Sequence, residues 1–131
     1  MDNYWDNRYK TGGNSGLGSY GENAKYKANI INTYINKFRI KTICDFGCGD
    51  GNQISLFEGF DKYFGCDISL HALSICEEKF KNNGKMTFLS EMSMLPEADL
   101  CISLDVIYHI LIDDEYCKYM EWLFNKSKRF V

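Results

Sequence analysis

Asp45-Phe46-Gly47-Cys48-Gly49-Asp50-Gly51 is the segment from which the rest of the chain can be read. It continues the apolar run Thr42-Ile43-Cys44, so a buried strand over 42–46 empties into three glycines at alternate positions. Glycines so spaced let the backbone turn tightly and approach a ligand that any Cβ would push away. A helix predicted over 53–58 would then aim its N-terminus at a ligand carboxylate. The pattern is G-x-G-x-G, with Asn52 standing where a dinucleotide fingerprint runs on toward its third glycine. Asp45, two residues ahead of the first glycine, is poorly placed against a pyrophosphate and well placed against an ammonium. A ligand with an amino acid end fits better than one with two phosphates, which disfavours a nicotinamide-dependent oxidoreductase.

Upstream of this loop, Ala24, Ala28, Ile31, Ile35 and Phe38 recur at helical spacing and predict a helix over 22–38. Downstream the chain alternates. A strand is predicted over 63–66. Ser69 then caps a helix with Leu73, Cys76 and Phe80 inward, closed by Asn83-Gly84. Strands follow over 85–89 and 100–104. Asp113 or Asp114 caps a last helix with Tyr116, Tyr119, Met120 and Leu123 inward, and Phe130-Val131 opens a fifth strand. This alternation implies an α/β fold, a Rossmann-like three-layer αβα arrangement around a mostly parallel sheet. Ligands of such sheets sit beyond the carboxyl ends of the strands. Asp67 stands there, sixteen residues after Gly51, where a carboxylate can accept both hydroxyl protons of a ribose.

The bulk properties narrow the partners. At 131 residues the chain is read as one domain, 1–131. Its formal charge is −3 and it has no basic stripe beyond Lys126, Lys128 and Arg129, so no nucleic-acid partner is expected. The six cysteines contain no C-x-x-C pair, so no metal site is expected, and they read as reduced, buried thiols of a cytoplasmic protein. No apolar run approaches the ~20 residues of a membrane span, and residues 1–10 do not resemble a signal peptide. Residues 11–21 are rich in glycine and serine, the composition of a flexible leader. Tyr4, Trp5, Tyr9 and Tyr20 around them favour a segment that folds over a ligand.

D-F-G-C-G-D-G followed by G-C-D-I-S resembles the two cofactor motifs of class I S-adenosylmethionine-dependent methyltransferases. The resemblance implies that 45–51, with Asp45, Gly47, Cys48, Gly49 and Gly51, holds the methionyl portion of S-adenosylmethionine. It implies that Asp67 holds the ribose, with Ile68 beside it, and that Ser90, Glu91 and Met92 flank the adenine. Leu104-Asp105-Val106-Ile107-Tyr108-His109-Ile110 is similar to the family's segment bordering the methyl group. Asp105 is then a candidate to hold the ammonium or order an acceptor, and His109 a candidate general base. The N-terminal stretch resembles small bacterial methyltransferases, some associated with capsule or surface-glycan modification, in which it covers the cofactor. Residues 1–21 become a lid that brings Tyr4, Tyr9 and Tyr20 to the cofactor, over a core of 22–131.

The expected function is methyl transfer from S-adenosylmethionine, leaving S-adenosylhomocysteine, to a small-molecule or glycan-precursor acceptor. The alternative is a truncated cofactor-binding fragment or partner subunit without activity of its own. It arises because the family's sheet has seven strands and this chain reads as stopping at the fifth. Strand four would then be an apolar edge, inviting a homodimer or a completing chain.

Overall fold

The computed structural model describes residues 2–131, so residue 1 of the expected 1–21 segment lies outside the described residues. Two helices precede the sheet: α1 (Asp2–Lys10) and α2 (Gly21–Phe38). The alternating part comprises β1 (Thr42–Phe46), β2 (Lys62–Cys66), α3 (Leu70–Lys79), β3 (Met86–Leu89), β4 (Ala98–Ile102), α4 (Asp113–Asn125) and β5 (Ser127–Phe130). The strands form one sheet in the order β3-β2-β1-β4-β5, and every pairing is parallel. This is the Rossmann-like α/β arrangement the sequence implies.

α2 buries Ala24, Ala28 and Ile35. It stops where Arg39 turns left-handed (φ 52°) and gives its N–H to the carbonyls of Ile35 and Asn36. One layer of the core joins Ile35, Ile43, Ile54, Tyr63 and Leu73. The other joins Phe46, Cys66, Leu95, Cys101 and Tyr119 beneath α4. α3 begins as expected, with Ser69 Oγ accepting from Ala72 N at 3.1 Å. Such a cap stabilises a helix by about 1 kcal/mol.

Several expectations are corrected. α1 is a helix, although DNYWDNRYK carries no apolar stripe. The helix expected over 53–58 is one 3-10 turn, Ile54–Leu56, too short to present a helix dipole to a ligand. α4 is capped by neither aspartate: Ile112 is its N-cap, and Asp113 and Asp114 lie in the first turn. Tyr116 points to solvent, and Cys117 is exposed while the other five cysteines are buried. β4 is not an edge, because β5 pairs with it over the full span Ser127–Phe130. The edges of the sheet are β3 and β5, and β5 is a short strand carrying Lys128 and Arg129, a composition that discourages strand addition.

Candidate functional site

A cavity of about 520 Å³ opens at the carboxyl ends of β1, β2, β3 and β4. Its floor is the end of β1 and the loop that follows. Gly47 and Gly49 adopt left-handed φ (88° and 57°). A Cβ at Gly47 would collide with Val106, and one at Gly49 with Ser15 Oγ, so both positions require glycine. The loop is tied to β2 by the N–H groups of Gly47 and Cys48, which donate to the Cys66 carbonyl at 2.8 and 3.0 Å.

Asp45 lines the cavity and is only 3% exposed. Burial pushes its carboxyl up to about 7, against the lowering effect of the Tyr63 hydroxyl that donates to Oδ2 at 2.7 Å. Asp67, at the end of β2, accepts from Gly49 N and from Ser69 N, both at 2.9 Å and on different oxygens. Burial raises this carboxyl too, and its backbone hydrogen bonds oppose the rise. Each Asp67 oxygen keeps acceptor capacity, because a carboxylate has about four lone-pair directions. Gln53 Nε2 donates to the Ala24 carbonyl at 3.0 Å, while its buried Oε1 on the cavity wall has no partner.

Ile68, Ser90, Glu91 and Met92 line the wall beyond β2 and β3. Asp105 and His109 line the opposite side, after β4. Asp105 has a left-handed φ of 60° and is ion-paired with Lys27 of α2. His109 meets the indole of Trp5 edge-on, ring centres 5.2 Å apart.

The N-terminal segment folds over the glycine loop. Asp50 is its anchor: Oδ2 accepts from Ser15 N at 3.0 Å and from the Tyr20 hydroxyl at 2.7 Å, while Asp50 N donates to Ser15 Oγ at 3.0 Å. Burial opposes ionisation of Asp50, but the hydrogen bonds from Tyr20, Asn52 and Ser15 outweigh it and hold the carboxyl below its usual range. α1 is pinned to α3 by Asp6, which accepts from Ser69 Oγ at 2.8 Å and faces His71 Nδ1 at 3.0 Å. These contacts, with the His71 backbone N–H that donates to Asp6 Oδ1 at 3.2 Å, hold the Asp6 carboxyl down at about 2. Tyr9 lines the cavity with its hydroxyl on Ser15 Oγ at 2.8 Å.

Most of the sequence-derived candidates therefore meet in one cavity: Asp45, Gly47, Cys48, Gly49, Asp67, Ile68, Glu91, Met92, Asp105, His109 and Tyr9. Three do not reach it. Tyr4 is 59% exposed, Tyr20 is spent on Asp50, and Gly51 backs onto Phe80 and Cys76. Trp5, which the sequence sets among the aromatic residues of a covering segment, lines the cavity, and Ser15, Gln53 and Trp122 line it without a sequence signal of their own. Among the described residues no group of three His, Cys, Asp or Glu side chains is arranged for a metal, and no helix is long and apolar enough to cross a membrane.

Residues 44–128 match the family model described as a methyltransferase domain, and the chain belongs to that family. Its fold is that of the class I S-adenosylmethionine-dependent methyltransferases. Among solved structures it is similar to a S-adenosylmethionine-dependent methyltransferase from Clostridium acetobutylicum (25% identity, TM-score 0.66, covering 80% of this chain and 46% of that one). It is similar to magnesium protoporphyrin IX methyltransferase from Synechocystis with bound S-adenosylmethionine (16%, TM-score 0.69, 97% and 72%). DesVI from Streptomyces venezuelae is a third (14%, TM-score 0.67, 82% and 48%). The chain spans about half the length of the first structures it matches, 46% and 52%. None of the curated proteins is detectably similar.

Proposed function

We propose that the chain binds S-adenosylmethionine in this cavity and passes its methyl group to a small-molecule acceptor. The carrying observation is that Gly49 N donates to Asp67 Oδ2 at 2.9 Å, which locks the glycine loop to the acidic end of β2. Loop and clamp thus act as one rigid cradle. The residues fit the donor. The buried Asp45 carboxylate and the orphaned Gln53 Oε1 are acceptors for an ammonium. Asp67 suits a ribose diol, and the wall of Ile68 and Met92 suits the face of a base. A volume of 520 Å³ lies within the usual range for ligand sites.

When bound, S-adenosylmethionine supplies a methyl group on a sulfonium that is already a good leaving group. The chain's work is then alignment and exclusion of water. Residues 2–21 close the loop side through Asp50, and we assign them the lid role. Asp105, tied to Lys27, orders the acceptor, and His109 takes a proton from an acceptor that must lose one. The resemblance of the N-terminal stretch extends the acceptor class to glycan precursors and to capsule or surface-glycan modification. Five buried cysteines without disulfides suit a reducing compartment, and we place the protein in the cytoplasm. A second reading, a cofactor-binding unit that works with a partner chain or a second copy, is motivated by the chain's spanning about half the length of the first structures it matches.

The test is thermal shift and calorimetry with S-adenosylmethionine, S-adenosylhomocysteine and NAD. Stabilisation by the first two and not by NAD is expected, and its absence would sink the donor assignment. Turnover that survives His109→Ala undiminished would remove the base role. A single 15.2 kDa species in sedimentation that turns over acceptor would dismiss the partnered reading.

A further inference from the structure

The charge and surface of the cavity mouth carry an inference about the acceptor, resting on the reading of the cavity as a methyl-donor site. Five carboxylates line the cavity, Asp45, Asp67, Glu91, Asp105 and Glu115, against a single lysine, Lys118. Lys27 offsets Asp105 from behind, while Asp113 and Asp114 add two exposed carboxylates at the start of α4. A cleft lined by one sign of charge focuses its field on whatever enters. The donor brings one net positive charge and leaves the excess negative. An anionic acceptor would be repelled along its whole path, whereas a cation would be drawn in.

The walls supply the other half of the recognition. Trp5, Tyr9, Tyr119 and Trp122 present aromatic rings to the cavity. The Tyr9 and Tyr119 phenols are kept neutral, chiefly by burial. Aromatic faces attract cations, most strongly where water is excluded. The segments next to them also expose apolar side chains beside those acids. Leu17 is 87% exposed, Tyr108 63%, Leu111 83% and Ile112 58%. Gly18 packs against Asp105 and Trp5 against His109, so Leu17 adjoins the Asp105 side of the cavity through Gly18, as Tyr108 and Leu111 do through their lining neighbours His109 and Ile110. Scattered exposed apolar side chains need no explanation, but several on segments that flank one cavity mark a surface that meets an apolar partner.

We propose that the methyl acceptor is an amine carried on an apolar or aromatic body, which lies on the Leu17–Tyr108–Leu111 rim while its nitrogen enters between Trp5 and Asp105. The amine arrives as an ammonium and gives one proton to His109, and from there to water at the mouth. The freed nitrogen lone pair forms the new N–C bond as the C–S bond breaks, and that electron pair stays on sulfur. The product is a methylated ammonium beside S-adenosylhomocysteine, so charge and atoms balance.

The experiment is calorimetry on the full chain saturated with S-adenosylhomocysteine, using three probes: tryptamine, indolepropionate and a nucleotide sugar. Tryptamine is expected to bind at least about tenfold more tightly than indolepropionate, its anionic ring counterpart, and the nucleotide sugar not at all. Leu111→Ser should weaken tryptamine about threefold or more, and the double variant Asp113→Asn/Asp114→Asn about threefold, with S-adenosylhomocysteine affinity unchanged in both. Transfer of labelled methyl to tryptamine would extend the result to catalysis. Tighter binding of indolepropionate or the nucleotide sugar, or equal binding of all three, overturns the amine assignment and leaves the donor site standing. Failure of S-adenosylhomocysteine itself to bind overturns both readings.

Discussion

The Asp45 carboxyl sits at about 7 because burial denies it water, and this makes donor binding depend on pH in a calculable way. If the ligand ammonium requires an ionised partner, affinity follows the ionised fraction of Asp45. With a pKa of about 7 that fraction is roughly one eleventh at pH ~6 and ten elevenths at pH ~8, so S-adenosylhomocysteine should bind about tenfold more tightly at the higher pH. Binding at pH ~6 should release close to one proton, seen as a dependence of the measured heat on the buffer. Asp45→Asn keeps an acceptor for the Tyr63 hydroxyl but loses the charge-assisted bond, and should weaken binding at pH ~8 by about 1.5–3 kcal/mol and flatten the profile. Methylthioadenosine lacks the amino acid end and should bind the wild type with no such slope. The stability effect has the opposite sense. A carboxyl raised from 3.8 to about 7 on folding contributes stability below ~3.8 that is lost as pH rises through about 7. Ionising it costs on the order of 4 kcal/mol. Without ligand, the Asn variant should therefore melt higher than wild type at pH ~8 and lose that advantage toward pH ~5. A flat wild-type profile, or an equal slope for methylthioadenosine, would refute the pairing of Asp45 with the ammonium.

Asp67→Ala removes both diol acceptors and should weaken S-adenosylhomocysteine by about 3 kcal/mol, with circular dichroism unchanged; equal affinity in calorimetry would end the ribose assignment. Gln53→Met removes the unpartnered Oε1 and should weaken the same ligand by about 1 kcal/mol while leaving methylthioadenosine unaffected, and a loss shared by both would place Gln53 elsewhere. Asp50→Ala deletes the acceptor of Ser15 N and the Tyr20 hydroxyl. It should speed amide exchange and proteolysis across residues 11–20 well before the sheet opens, whereas unaltered protection there would show the segment is held by other contacts.

The parts of the structure legible in the sequence are those whose signals are local. β1 and its loop combine an apolar run with glycines whose spacing only a tight approach requires, and Ser69 caps α3 within three residues of its partner. Asp45 and Asp67 are legible as cavity-lining residues because each stands at a strand end, where such sheets open their clefts. What was missed is long-range. α1 has no apolar periodicity because its contacts are single and polar: Asp6 to Ser69 and His71, and Tyr9 to Ser15. Asp50 looks like a turn residue until its partner thirty-five residues away is known. Of β5 only Phe130 is legible as strand, because Ser127, Lys128 and Arg129 before it suit a charged edge rather than an apolar run. Tyr116 was placed inward by periodicity, yet the face of α4 that meets the sheet is centred on Tyr119 and Leu123.

The hydrogen-bond network makes the glycine loop and the N-terminal segment one mechanical unit. Gly49 N serves Asp67 while the bare Cα of Gly49 admits Ser15, and the neighbouring Asp50 holds Ser15 and Tyr20. Movement of residues 11–20 away from the cavity therefore must break bonds made by Asp50 of the glycine loop. On the far side, Gly18 of the same segment packs on Asp105, and Trp5 on His109. The N-terminal segment thus contacts the glycine loop through Ser15 and Tyr20 and the Asp105–His109 side through Gly18 and Trp5. Donor and acceptor binding are coupled through it wherever either ligand orders those residues, because ordering entropy spent for the first ligand need not be spent again for the second. Slowed amide exchange over residues 11–20 on adding S-adenosylhomocysteine is the observable that this coupling requires, and unchanged exchange would leave the two halves of the site independent.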